Sequence, residues 1–275
     1  MKKSILCVLA SSLVLTVCAQ QPPVDRKTRG CDDPPGYSDT PVIPGQPWKV
    51  HDIARPHPPK VPGTVVTTPP PADAVVLFNG KDLSQWKSYA RGREIAPQWK
   101  VANGYAEVAG RGDLVTKQQF GDIQLHLEWQ VPSPVEGCGQ WAANSGVILM
   151  GRYEIQVLES FNSVTYADGQ ASAIYGQFAP RANASLAPGQ WQSYDILFEA
   201  PKWEGSKMVK APTVTVIHNG VMVHHRQEFV GQMAHRIHKP FEVHGPEAPL
   251  TLQNHDATVR FRNIWIRPLK GYDTK

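Results

Sequence analysis

The stretch GDIQLHLEWQV, Gly121 to Val131, alternates apolar and polar residues almost without a break. Successive side chains of a strand point to opposite faces, so Ile123, Leu125, Leu127 and Trp129 share one side, and Gln124, His126, Glu128 and Gln130 the other. This is the pattern of a strand with one face in a core and one face wet. Working outward, the same reading marks strands at 145–150, 153–158, 191–198, 214–218, 221–225, 250–253 and 259–266. Asn103-Gly104 and Asn219-Gly220 supply hairpin turns between such runs. No longer window fits a helical period. Many short strands with turn-rich links predict an all-β fold, a two-sheet antiparallel jelly-roll sandwich.

The ends of the chain read differently. Met1-Lys2-Lys3, an apolar run from Ile5 to Val17 and small residues around Ala19 are the marks of a secretory signal at residues 1–19. The protein is therefore expected to be exported, to the periplasm or beyond. Cys18 gives the alternative of a lipoprotein anchored through that residue. No membrane-spanning segment is expected once the signal is gone. Residues 20–72 form a Pro-rich extension, holding more than half of the chain's 25 prolines. Tyr37, Ile43, Trp48 and Val50 lie within it, and pure spacers rarely spend such residues. The part from 37 to 52 is thus expected to pack on the core, with the last proline run as a stiff connector to a domain at 73–270. Cys31 and Cys138 form the remaining cysteine pair, and export permits a disulfide between them as readily as two free thiols. A net charge of +4 on 275 residues, with the basic residues scattered, gives no nucleic-acid footprint.

The chemistry is suggested where a strand breaks its apolar texture. In NSGVILMGRYEIQVLES, Asn144 to Ser160, Glu154 and Gln156 share a face between large apolar neighbours. A buried carboxylate without partners costs several kcal/mol, so this pair belongs to a groove or to a hydrogen-bonded network. Gln253 and His255 share a face in LTLQNHDATVRFRNIWIR, where Arg260 and Arg262 form another set. Tyr175 and Gln177 flank a glycine in SAIYGQF. Acids, amides and aromatic rings are what a groove uses to hold sugar hydroxyls. The other tryptophans read as core, while Trp141, in the glycine-bearing loop CGQWAANSG, is expected at a groove mouth. Arg111-Gly112-Asp113 reads as a turn. The histidines between His218 and His255, including His235, lack the spacing of a zinc site.

These segments resemble a known family. VLFNGKDLSQWKS, SGVILMGRYEIQVLES, SAIYGQF, GQWQSYDI and LQNHDATVRFRNIWIR are similar, in order across about 74–269, to the motifs of the 3-keto-disaccharide hydrolase domain. The resemblance implies a concanavalin A-like jelly roll acting on 3-keto-glycosides. A ketone at C3 acidifies the C2 hydrogen; a base removes it, the C1 oxygen is expelled, and water added later completes a net hydrolysis. Carried onto this sequence, the catalytic candidates are Glu154, His255 and Arg262, with His255 favoured as the base because its ordinary pKa sits nearer working pH. Arg262, or a divalent cation shared by Glu154, His255 and the substrate, would stabilise the anion. Gln156, Tyr175, Gln177, Gln253 and Trp141 would bind substrate, and no organic cofactor is expected. The sequence departs from the family pattern at Ser172-Ala173 and at Asn254 and Asp256 beside His255. The rival reading is a non-catalytic carbohydrate-binding module of lectin-like fold.

Overall fold

The computed structural model describes residues 25–269, so the expected signal segment and Cys18 lie outside the described residues. Among the described residues sixteen strands and two short 3-10 turns make an all-β sandwich. The back sheet has eight strands, with Ile123–Gln130 between Trp191–Glu199 and Arg260–Pro268. The front sheet has six, ending in the order Leu114–Phe120, Ala248–Leu252, Ser145–Leu149 and Tyr153–Val157. Neighbouring strands in both sheets are antiparallel.

Register explains the core. Leu125 and Leu127 lie opposite Ile196 and Tyr194 on one side, and Leu125 and Trp129 lie opposite Ile266 and Phe261 on the other. All of them are buried, facing Val147, Leu149, Tyr153, Ile155 and Val157 of the front sheet. Each such side chain contributes about 1.5–3 kcal/mol through its burial. Asn219 and Gly220 both hold positive φ, 50° and 78°, the geometry a tight two-residue hairpin needs.

The polar side of the Ile123–Gln130 strand is not the wet face its alternation predicts. The side chains of His126 and Glu128 have no solvent exposure. His126 Nδ1 lies 2.7 Å from Asp195, Glu128 accepts from Arg262 at 2.7 Å and from Asn263 at 3.0 Å, and Trp265 stacks on His126. The cover is the proline-rich connector. Thr64 N donates to Asn219 O at 2.8 Å, Val66 N donates to Ser193 Oγ at 3.1 Å, and Thr68 O accepts from Asn263 and Trp265. The connector is thus a strap across the back sheet, not a spacer. No sequence period announces such a contact, because an extended proline-rich chain has none.

The earlier part of the extension packs through Ile43 and Val50, each 1% exposed, and through the fully buried His51. Cys31 and Cys138 are joined by a disulfide across 107 residues, which removes the free-thiol alternative and ties the extension to the loop before Ser145.

Candidate active site

The outward face of the front sheet answers why Glu154 and Gln156 sit together. Ladder pairing sets Gln156 opposite Gly146 and Glu154 opposite Ile148. On the far side of that strand, Gln253 N donates to Gly146 O at 3.0 Å. Leu252 pairs with Leu114, so one further step of the same antiparallel register sets Asp113 opposite Gln253. Asn254 N donates to the Asp113 carboxylate at 2.8 Å, fixing it there. A polar row therefore crosses the sheet, from Gln156 and Glu154 over Gly146 to Gln253 and Asp113. The absence of a side chain at Gly146 leaves room for the Glu154 carboxylate, since a Cβ there would displace Oε1. Above the Glu154 and Gln156 end of this row lies a cavity of about 1240 Å³.

Two walls rise from the floor. On one, Trp141 donates its Nε1–H to Asp33 at 2.9 Å, carries the Arg29 guanidinium 3.4 Å above its ring, and packs against His255 at 5.1 Å. Gln140 Oε1 accepts from Gln156 Nε2 at 3.1 Å and so orients that amide. On the other wall the Tyr166 and Tyr175 hydroxyls are 3.0 Å apart, and the Tyr175 hydroxyl is 3.2 Å from His235 Nδ1. Tyr37, from the extension, completes this side. Gln156 Oε1, Gln253 Oε1 and His255 Nδ1 are buried with no hydrogen-bond partner among the described residues. Each such orphan costs about 1–3 kcal/mol, and each is an acceptor or donor free for a ligand.

Electrostatics separate the two candidate bases. Burial, with the like charge of Asp113 adding to it, pushes the Glu154 carboxyl up to about 8. Burial moves His255 the other way, below its ordinary value, and the Arg29 charge adds to that. The ordering assumed from unperturbed values is therefore reversed: Glu154 becomes the stronger base of the pair. His235 is lowered by burial, with the Arg236 charge adding to it, and burial raises both Tyr166 and Tyr175, which stay neutral.

The structure brings Glu154, Gln156, Tyr175, Gln253, His255 and Trp141 to this one cavity. It does not bring Gln177 or Arg262. Gln177 is buried against the chain at 230–231, donating to Gly231 O at 3.2 Å and accepting from Val230 N at 2.8 Å. Arg262 belongs to the opposite sheet and points away from the sandwich, bonded to Glu128 and lying 4.0 Å over Trp191. It cannot stabilise an anion in the cavity. Residues that the sequence reading passed over are Asp113, taken for a turn, Gln140, Tyr37 and His235. Only Asp113 left a signal, as the residue continuing the Leu114–Phe120 strand. Asp256 holds a φ of 61°, the region that favours glycine. Among the described residues no group of three or more His, Cys, Asp or Glu is spaced to hold a metal ion. A cation shared by Glu154 and His255 would therefore draw its remaining ligands from amides, water or substrate.

Comparison with known proteins fits this geometry. A crystal structure from Parabacteroides distasonis ATCC 8503, provisionally described as a glycosyl hydrolase, superposes with a TM-score of 0.70 at 40% identity, covering 82% of this chain and 99% of that one. Two further structures from the same organism, described in the same way, share 19% and 21% identity at a TM-score of 0.50. They cover 72% and 71% of this chain and 94% and 99% of their own, and show the fold alone. No curated protein matches the chain. Residues 73–267 match the model of the 3-keto-alpha-glucoside-1,2-lyase-like domain, and the chain belongs to that family of carbohydrate-active proteins.

Proposed function

We propose that this protein cleaves 3-keto-glycosides by removing the C2 proton and eliminating the C1 oxygen, with Glu154 as the base. The observation that carries this reading is the Glu154 carboxyl itself. It lies on the floor of a sugar-sized cavity, and neither an ion pair nor a hydrogen bond offsets its burial among the described residues. A carboxylate of pKa about 8 is a far better proton acceptor than an ordinary one, and it operates near neutral pH. Binding sugar hydroxyls needs no such group.

The C3 ketone acidifies the C2 hydrogen of the substrate. Glu154 takes that proton, and the charge spreads over the enediolate. Gln253 and the imidazole of His255 line the same cavity and are the groups that hold the ring oxygens. Collapse of the enediolate forms the C1–C2 double bond and expels the glycosidic oxygen. Water then adds at C1 while Glu154 returns its proton to C2, so the sum is hydrolysis. Trp141, at the mouth, borders the space that a second sugar ring would enter. We place this activity outside the cytoplasm, since the Cys31–Cys138 disulfide is of a kind that persists in oxidising compartments.

The test is to supply a 3-keto-disaccharide and follow sugar release. Deuterium at C2 is expected to slow turnover several-fold, and Glu154→Gln to lower kcat by at least about 100-fold. Tight sugar binding without product, or full activity in Glu154→Gln, would establish the binding-module reading or a different base.

A further inference from the structure

The elimination needs an acid for the departing C1 oxygen, and the floor of the cavity supplies none. The wall opposite Trp141 and His255 does. Tyr175 N donates to Glu154 O at 3.1 Å, so the backbone holds this phenol beside the proposed base. Its hydroxyl oxygen sits 3.0 Å from the Tyr166 hydroxyl and 3.2 Å from His235 Nδ1. A phenol oxygen accepts two hydrogen bonds and donates one. If Tyr166 O–H and the Nδ1–H of a neutral His235 both donate to it, the Tyr175 proton is left for the cavity, and charge developing on its oxygen meets two donors already in place.

We propose that Tyr175 protonates the departing C1 oxygen, with Tyr166 and His235 as positioning residues that donate to the Tyr175 oxygen. This rests on the 3-keto-glycoside reading above and fills a role that reading leaves open. The protons balance without any added reactant. Glu154 takes the C2 proton, the electrons of that bond form the C1–C2 double bond, the C1–O bond breaks, and its oxygen takes the Tyr175 proton. In the second half water gives its hydroxyl to C1 and its remaining proton to the Tyr175 phenolate, while Glu154 returns to C2 the proton it took in the first half.

The Pro-rich extension holds this wall together. His51 stacks on Tyr166 with ring centroids 3.9 Å apart and is fixed by Asp168, which accepts from its backbone N at 3.0 Å. The Tyr37 ring meets His235 edge-on at 6.0 Å and Tyr166 at 6.1 Å. A segment outside the sandwich thus sets the geometry of the acid.

The experiment compares two 3-keto-glucosides on one preparation. The nitrophenyl glycoside has a leaving group that needs no acid, and the methyl glycoside has one that does. Tyr175→Phe is expected to lose at least about 100-fold in kcat/KM on the methyl substrate and less than about 10-fold on the nitrophenyl one. The ratio of the two losses is independent of how much of the variant is folded. His235→Ala is expected to shift the ratio in the same direction, and His235→Asn, whose amide N–H replaces Nδ1–H, to restore it. Equal losses on both substrates, or none, would overturn the assignment of Tyr175 while leaving the reaction standing. A wild-type protein inactive on both would overturn the reaction and the assignment together.

Discussion

A carboxyl raised from 4.5 to about 8 on folding is a burden on the fold whenever it is ionised in the unfolded chain. The raised folded value means that stability is greatest below about 4.5 and is lost as pH rises towards about 8. A tenfold change in acidity corresponds to about 1.4 kcal/mol, so at neutral pH Glu154 costs on the order of 3 kcal/mol. Glu154→Gln should therefore melt at higher temperature than the wild type at pH 7, with the gain fading as pH approaches 4. Thermal unfolding across that range checks it, and a gain that does not change with pH would mean the carboxyl is not raised. Sequence pointed to Glu154 because a polar residue interrupts an apolar strand. It favoured His255 as the base because tabulated pKa values belong to exposed groups, and burial moves an acid and an imidazole in opposite directions. Asp113 stayed hidden because a glycine before an acid reads first as a turn, and its partner Gln253 is distant in sequence.

Among the elements, the loop from Cys138 to Asn144 and the segment from Arg29 to Asp33 act as one wall, joined by the disulfide and by the Arg29, Trp141 and Asp33 contacts. Closing so long a loop restricts the unfolded chain, and replacing both Cys31 and Cys138 by Ser should cost about 2–4 kcal/mol. Gly30, Cys31 and Asp33 line the cavity, so the same variant should raise KM several-fold with a smaller change in kcat. Steady-state kinetics and chemical denaturation check the two halves separately; an unchanged KM would show that this wall does not meet substrate. Strands were legible one by one, since alternation is a local property. Sheet membership was not, and that is why Arg262 was grouped with His255. A short irregular stretch separates them, yet His255 lies at the front cavity and Arg262 on the outside of the back sheet.

For the molecule as a whole, the network under the strap makes stability depend on pH from both sides. Burial alone would raise Glu128, but the His126 imidazole 3.8 Å away and hydrogen bonds from Asn263 and Arg262 bring it from 4.5 down to about 2, so its contribution is present above 4.5 and is lost as pH falls. Burial alone would lower His126, but the hydrogen bond with Asp195 and the Glu128 carboxylate 3.8 Å away outweigh it and raise it above 6.5, so its contribution is present below 6.5 and is lost as pH rises. The network is expected to stabilise most between these limits, and Glu128→Gln to flatten the acid limb of a stability-against-pH curve at a cost of about 3 kcal/mol at its top. An acid limb unchanged in Glu128→Gln would assign acid unfolding to other carboxyls. Two stacked sheets could be read from patterning, but the wrap around them could not, because its contacts are made by backbone groups and prolines that carry no period. That wrap has a consequence for dissection of the chain. A chain trimmed to the family domain would lose its roof on one side and the His51 backing of Tyr166 on the other.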